Sequence, residues 1–228
     1  MAKSAADAAS TDSADTAEAG SAEMVHSNRE APYRLNPDLI HIPWVNLRQK
    51  LSKNMEGVEG DAVLDRKFVL TNGGVGIPCI PLDPVVGKQE DIPYSKKETQ
   101  RRAITPEEIK ALAAESEYKL EDYGEVTLMF PALTDKPDEA VYQFPCGDKR
   151  YAVGRIFCKK DSFRLAVKAI ETFKLFNYQS GVQPTRKVWI YTPEHMEKGD
   201  NDWYNHTLRP TEEDTDGALL DFLRQFGG

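Results

Sequence analysis

The sequence is poor in the residues that build metal centres and disulfide frameworks. It has three cysteines and four histidines among 228 residues. Cys79, Cys146 and Cys158 form no CxxC pair, and an odd number gives no disulfide framework, so we expect a reducing compartment. No histidine pairs with a cysteine or with another histidine at metal-ligand spacing. We therefore predict no metal and no cofactor.

Long apolar runs and catalytic motifs are missing as well. No stretch approaches the roughly 18–20 apolar residues that cross a bilayer, and the acidic N-terminus lacks the apolar core of a signal peptide. We expect a cytoplasmic protein with no membrane partner. The motifs of serine hydrolases, zinc proteases, P-loop enzymes and dinucleotide-binding enzymes are absent. Because the carboxylates form no telling cluster either, we predict no catalytic residues and no enzyme.

Acidic charge is concentrated at the two ends of the chain. The formal net charge is −8, of which residues 1–32 contribute −4 and residues 211–228 another −4. Residues 33–210 are therefore neutral, with 26 basic and 26 acidic side chains. The acidic sequence pI of about 5.1 thus argues little against a polyanionic ligand for the central region.

The same three segments serve as predicted domains. Residues 1–32 have almost no large apolar side chain, so we predict a disordered acidic tail. Residues 33–210 hold the periodic apolar pattern of a folded domain. Residues 211–228 are an acidic, amphipathic C-terminal tail, and its leucines and phenylalanines fit equally a free tail or a helix packed on the domain.

Strand patterns dominate the central region. Asn72-Gly73 predicts a hairpin turn, and Thr105, Pro106 and Glu108 form the signature of a capped helix near 105–118. Residues 161–181 carry the clearest helical periodicity. The predicted fold is mainly β (α+β). It is an OB-like (oligonucleotide/oligosaccharide-binding) five-stranded barrel with a helix between strands three and four, the inserted helix near 105–118 and disordered termini.

Two predicted strands raise the question of a ligand, because each places rings and cations on one face. Along Tyr151–Lys160, small side chains alternate with larger or charged ones, and along Lys187–Thr192, aliphatic side chains alternate with aromatic and basic ones. If the small and aliphatic faces point inward, rings interleaved with cations face the solvent. Such a surface suits single-stranded nucleic acid, because bases stack on rings and Lys or Arg contacts phosphate. Alternatively, Trp189 fills the interior of a barrel.

A basic loop at residues 96–102 is the second candidate for phosphate contact, and the alternative, an ordinary solvated loop, explains it somewhat better. Together with the two strands it completes the predicted nucleic-acid-binding set: Tyr151, Arg155, Phe157, Lys159, Lys187, Trp189, Tyr191, Lys96, Lys97, Arg101 and Arg102.

Four segments carry a resemblance to a known class of proteins. They are "HIPWVNLRQKLSKNMEGVEGDAVL", "GVGIPCIPLDPVV", "RYAVGRIFCKKDSFRLAVKAIETF" and "KVWIYTPEHMEKGDNDWYNHTLRP". Over roughly 41–209 the chain resembles single-stranded DNA-binding-type (OB-fold) proteins that tailed bacteriophages encode among replication and recombination genes. The N-terminal tail, the proline-rich second strand and the 88–124 insertion depart from that pattern. The resemblance places the protein in the cytoplasm of the phage host.

Two functions are consistent with these features. The first is sequence-tolerant binding of single-stranded DNA in phage DNA replication or recombination. In this case replication or recombination proteins dock on the C-terminal tail. A homo-oligomer is compatible with this function. The second is a virion structural protein of the neck or tail, without nucleic-acid or catalytic activity. Quenching of tryptophan fluorescence by single-stranded DNA distinguishes the two.

Overall fold

The computed structural model describes residues 41–93, 95, 96 and 98–227, with side chains as far as residue 224. The predicted disordered tail at 1–32 and the predicted contact residue Lys97 lie outside the described residues. Those predictions therefore stay predictions.

The described part of the chain contains eleven strands and four α-helices. The strands are β1 (Val45–Leu47), β2 (Ala62–Leu64), β3 (Phe68–Thr71), β4 (Ile77–Pro81), β5 (Val85–Glu90), β6 (Arg102–Ala103), β7 (Leu120–Pro131), β8 (Phe144–Cys146), β9 (Lys149–Lys159), β10 (Lys187–Lys198) and β11 (Asn201–Asp214). The helices are α1 (Pro106–Glu115), α2 (Lys160–Ser162), α3 (Lys168–Phe176) and α4 (Gly217–Gly227). A π-helical turn (Phe163–Val167) joins α2 to α3, and a 3-10 turn (Pro184–Arg186) precedes β10.

The fold is mainly β, with antiparallel sheets, as predicted. The larger sheet runs β11-β10-β4-β7-β5-β6, and β9 lies on the other side of β7 with β8 beyond it. The smaller sheet, β1-β2-β3, touches β9 through a bridge between Trp44 and Arg155. Among the described strands the sheets do not close into a barrel. The turn predicted at Asn72-Gly73 joins β3 to β4, but the prediction of a hairpin is wrong, because β4 pairs with β7 and β10 rather than with β3.

The two predicted helices are present. The capping box of α1 has both of its hydrogen bonds: Glu108 N–H donates to Thr105 Oγ1, and the Glu108 carboxylate accepts from Thr105 N–H. The second helix is continuous from Lys160 to Phe176 and starts in a left-handed backbone conformation, with φ of 51° at Lys160. Its predicted apolar face packs on the sheets, because Phe163, Ala166, Val167 and Ile170 are buried.

The face of β9 predicted to lie inward does so. Ala152, Ile156 and Cys158 are fully buried under the helix and the smaller sheet. Gly154 completes this face, since a Cβ there would lie 2.5 Å from a methyl of Val45. Close packing of β1 on β9 therefore requires glycine at position 154.

On β10 the predicted orientation is wrong. Trp189 and Tyr191 are 0% exposed and belong to the main core, whereas Ile190 and Thr192 are only half-buried. Both faces of β10 are apolar enough to pack, and the two large rings lie in the core, where Trp189 contacts Phe173 of α3 and Tyr191 contacts Phe130 of β7. The indole N–H of Trp189 donates to the carbonyl of Pro184 at 3.0 Å, so burial leaves it satisfied.

The C-terminal segment packs on the domain. Leu219 of α4 is 0% exposed and forms a second apolar cluster with Ile80, Met129 and Tyr151. The outward face of β9 is therefore covered at its Tyr151 end and open at its Lys159 end. None of the described helices is both long and apolar enough to cross a membrane.

Candidate nucleic-acid interface

An open groove lies between β1, the end of β9, the start of α2 and β11. Its volume is about 540 Å³. We call it the aromatic groove because four rings line it: Trp44, Phe157, Trp203 and Tyr204. All four rings are partly exposed. Polar side chains from β1, α2 and β11 complete its wall and floor.

Trp44 and Phe157 are held in place by neighbouring strands. The main chain of Pro43 accepts a hydrogen bond from Arg155 N–H at 2.9 Å, which fixes Trp44 beside β9. The Arg155 guanidinium carbon lies 5.6 Å from the centre of the Trp44 ring. Phe157 stacks on Tyr123 of β7 with ring centres 5.6 Å apart. Neighbouring side chains thus hold both rings, and both rings line the groove.

Gln49 and Tyr204 connect the two walls. The Gln49 side-chain amide donates to the Tyr204 carbonyl and accepts from the Tyr204 N–H, both at 2.8 Å. The Tyr204 ring lies directly over Gly60, where a Cβ would come within 2.6 Å of the ring. Because Gly60 has φ of 92°, glycine suits this position both in backbone conformation and in space.

Basic side chains surround the groove, but several are already paired. Glu125 accepts from Arg155 at 3.2 Å and lies 3.6 Å from Arg102, whose guanidinium carbon sits 4.3 Å above the Phe157 ring. One carboxylate therefore neutralises one of the two guanidinium charges. Lys159, which lines the groove, is exposed and has no ion pair within the described part of the chain.

The rim at the start of α2 is more mixed in charge. The amine of Lys160 lies 3.2 Å from Asp91 and 3.8 Å from Glu121, and Asp161 lines the groove next to it. The favourable region for an anion is therefore the Phe157–Lys159 side.

The floor of the groove is a buried polar network. The Tyr191 hydroxyl is 2.9 Å from His206 Nδ1, and burial lowers the pKa of His206 to about 3. Ser162 Oγ donates to Asn205 Oδ1 at 3.0 Å and accepts from His206 N–H at 3.2 Å. His206 is therefore neutral at pH 7 and contributes shape and hydrogen bonding rather than charge.

Four of the predicted contact residues meet around this groove. Phe157 and Lys159 line it, and Arg155 and Arg102 flank it against the rings of Trp44 and Phe157. They come from β6 and β9 of the larger sheet, and β5 and β7 lie between these two strands.

Four other predicted contact residues do not reach this surface. Trp189 and Tyr191 are in the core, and Tyr151, 2% exposed, lies beneath α4. The expectation that these three rings face the solvent is wrong, since no base can stack on a buried ring. Lys187 donates to the Glu212 carbonyl at 2.9 Å and pairs with Asp214 at 2.8 Å, so β11 already satisfies it.

The basic loop is also largely paired. Arg101 bonds to the buried Glu90 at 2.8 Å and lies 3.1 Å from Glu115, and this arginine lowers the pKa of Glu90 to about 2. Lys96 donates to the Tyr118 hydroxyl at 2.8 Å, which raises the pKa of the lysine. Both side chains stabilise the region around α1, so the loop's phosphate contacts stay a prediction.

Sequence reasoning missed several lining residues, above all Trp44 and Trp203. Trp44 precedes a three-residue strand, and Trp203 lies near the start of β11. The two residues belong to different sheets and line one groove only because those sheets pack together, and local periodicity carries no signal for that. The Pro43-Trp44 dipeptide and the WYNH run were the only hints.

The comparisons identify no relative. No family model, no curated protein and no solved structure matches the chain. Among the described residues no group of three His, Cys, Asp or Glu side chains could hold a metal ion.

Proposed function

We propose that this chain binds single-stranded DNA with little sequence preference, and that the aromatic groove is the binding site. One observation carries the proposal: Trp44, Phe157 and Trp203 share an open groove with Lys159, which has no ion pair within the described part of the chain. Rings supply stacking surfaces for any base, and a free ammonium supplies a phosphate contact. The resemblance to phage-encoded proteins supports a role in DNA replication or recombination in the host cytoplasm.

An OB-like barrel is part of the same proposal. The long helix between β9 and β10 supports this part of the proposal, since such a barrel has a helix between its third and fourth strands. The Gln49–Tyr204 bonds support it too, because a side chain links the smaller sheet to β11 where backbone pairing stops. Replication or recombination proteins remain the proposed partners of the C-terminal tail.

The expected contribution of each base to the binding free energy is modest. Stacking contributes about 1–3 kcal/mol for each base, so two or three rings supply micromolar affinity together with the phosphate contacts. Lys159, Arg155 and Arg102 make affinity fall with salt, with a slope of roughly −0.7 per phosphate neutralised.

Tryptophan fluorescence tests the proposal directly. Trp44 and Trp203 line the groove, whereas Trp189 is buried. Binding of an oligo-dT should therefore quench the fluorescence of Trp44 and Trp203. Trp44→Ala and Phe157→Ala should each weaken binding about 5- to 100-fold, from the loss of one stacking contact. Phe144→Ala removes a partly exposed ring of β8 outside the groove and should leave affinity unchanged.

The comparison of DNA forms completes the test. Single-stranded DNA should quench the fluorescence at low salt more strongly than a duplex of the same sequence. If neither form quenches at any ionic strength, single-stranded DNA binding is wrong and the virion structural alternative is favoured. Equal loss of affinity in Trp44→Ala and Phe144→Ala would mean that the site lies elsewhere.

A further inference from the structure

A second groove lies between the long helix from Lys160 to Phe176 and β11, the edge strand of the larger sheet. We call it the α3 groove, and its volume is about 610 Å³. Phe173, Phe176, Leu208 and Pro210 supply its large apolar surfaces. None of the residues in the predicted nucleic-acid-binding set lines it.

The α3 groove begins where the aromatic groove ends. Asp161 lines the aromatic groove, Arg164 lines the α3 groove, and the side chains of these two residues lie 3.8 Å apart. On β11, His206 lines the first groove and Leu208 the second, and two residues of a strand span roughly 7 Å. The same helix and the same strand therefore line both grooves.

The charge of the α3 groove suits an anion. Arg164 and Lys168 line it and are exposed, and Lys168 has no ion pair within the described part of the chain. Arg209 also lines the groove, but it lies 3.3 Å from Glu194. Among the described residues no carboxylate lines this groove. At its junction with the aromatic groove, Arg164 offsets the negative charge of Asp161.

The acidic side chains that follow Pro210 belong to a different cavity. Glu213, Asp214 and Asp216 line a cavity of about 310 Å³ together with Ile80 and Tyr151. These carboxylates therefore do not take part in the wall of the α3 groove, and a polyanion in that groove is not placed among them.

Phe176 gives the α3 groove an open ring. Its side chain is 82% exposed, so a base has access to the ring for stacking. Phe173 differs, because its ring packs against the buried Trp189 with ring centres 5.3 Å apart. Phe176 is therefore the ring of this groove that is suited to a base.

We propose that a single strand of DNA bound in the aromatic groove continues along β11 into the α3 groove, where Phe176 stacks a base and Arg164 and Lys168 contact phosphates. This inference rests on the proposed DNA binding. From Tyr204 to Pro210 the strand spans roughly 20 Å, so the α3 groove adds nucleotides to those that the aromatic groove holds. A longer strand of DNA should therefore use contacts that a short one cannot reach.

Fluorescence titration with oligo-dT of two lengths tests this on the full chain. Lengths of about 4 and about 12 nucleotides fall within the range that one OB-fold covers. Phe176→Ala should weaken binding of the long oligomer about fivefold or more and change binding of the short oligomer less than about twofold. Comparing variant and original chain at the same length cancels the larger number of positions that a long oligomer can occupy. Phe144→Ala, at a partly exposed ring of β8, is the control and should change neither.

The two basic residues are tested through salt dependence. Arg164→Gln and Lys168→Gln should each make the salt dependence of the long oligomer shallower by roughly 0.7, because one phosphate contact is lost. The slope for the short oligomer should stay the same. Lys110→Gln, at an exposed lysine of α1, is the matched control and should alter neither slope. Circular dichroism confirms that each variant is folded.

The results separate this inference from the proposed function. If neither oligomer binds, both are wrong. If Trp44→Ala weakens binding of both lengths while Phe176→Ala and Lys168→Gln change neither, the proposed function stands and the inference is wrong. An equal loss for short and long oligomers in Phe176→Ala would also overturn it, because the α3 groove would then be part of the primary site rather than its continuation.

Discussion

The side-chain amide of Gln49 takes the place of a neighbouring strand for the main chain of Tyr204. It accepts from the Tyr204 N–H and donates to the Tyr204 carbonyl, both at 2.8 Å. An amide can do both because it carries an acceptor and donors on one plane. The pair ties the end of β1 to β11 and holds the two walls of the aromatic groove at a fixed separation.

Replacing Gln49 with alanine should therefore loosen the groove. Two main-chain groups of Tyr204 lose their partners, so the free energy of unfolding should fall by about 1–3 kcal/mol. Affinity for oligo-dT should fall several-fold as well. Denaturant unfolding and fluorescence titration measure the two effects. Gln183→Ala, at an exposed glutamine, is the control and should change neither. An unaltered midpoint for Gln49→Ala would contradict the linking role.

Buried rings explain where sequence reasoning succeeded and where it failed. One face of β9 carries Ala152, Ile156 and Cys158, whose side chains are small enough to let other elements pack closely on it. The prediction that this face points inward is confirmed. On β10 both alternating faces are apolar. Periodicity reveals two faces but not which one points inward, and the large rings of Trp189 and Tyr191 fill the core.

Periodicity also cannot predict which helix or strand packs over an outward-facing side chain. Tyr151 stands on the open side of β9, yet α4 covers it through Leu219. The sequence is consistent with a C-terminal tail that packs on the domain and with one that stays free. Tyr151 is buried because the tail packs. Phe157, further along the same face, is partly exposed and lines the groove.

Trp189 should behave as a core residue. Trp189→Ala should lower the free energy of unfolding by about 3–5 kcal/mol, the usual cost of removing a large buried ring. Trp189→Phe keeps much of that volume, so it should cost less and leave affinity for oligo-dT unchanged. Chemical denaturation and DNA titration of both variants check this. A folded Trp189→Phe variant with tenfold weaker binding would show that Trp189 contacts DNA after all.

Glu125 should restrain DNA binding. Its carboxylate lies 3.2 Å from Arg155 and 3.6 Å from Arg102, beside the rings that would stack bases. Glu125→Gln removes this charge and leaves both guanidiniums available for phosphate. We expect affinity for oligo-dT to rise several-fold and the salt dependence to become steeper by roughly 0.7 for each new phosphate contact.

Titrations at several salt concentrations measure both quantities for Glu125→Gln. The control is Glu171→Gln, which removes an exposed carboxylate of α3 that pairs with Lys174. It should leave the slope unchanged. Weaker binding by Glu125→Gln would mean that the carboxylate holds the arginines in their binding positions rather than competing with DNA.

The arginine of the basic loop should matter for stability more than for DNA. Arg101→Ala leaves the buried Glu90 without its main partner, so we expect a lower melting temperature at pH 7. The pKa of Glu90 is lowered to about 2, so the stabilising effect of this pair is present above about pH 4.5 and is lost as the pH falls towards 2. Melting curves of the variant and the original chain should therefore converge in acid. A tenfold loss of DNA affinity with an unchanged melting temperature would assign Arg101 to phosphate instead.

His206 should make stability depend on pH in a separate window. Its pKa is about 3 in the folded chain because of burial, against about 6.5 when unfolded. Between these values the unfolded chain binds more protons, so the free energy of unfolding falls as the pH is lowered. The expected loss is about 2 kcal/mol between pH 7 and pH 5, above the range in which Glu90 titrates. His206→Gln keeps a hydrogen-bonding partner for Tyr191 and should flatten this slope, whereas His195→Gln, at an exposed histidine, should preserve it. Urea denaturation at four pH values distinguishes these outcomes, and an equal slope in the original chain and His206→Gln would contradict a buried neutral imidazole beneath the aromatic groove.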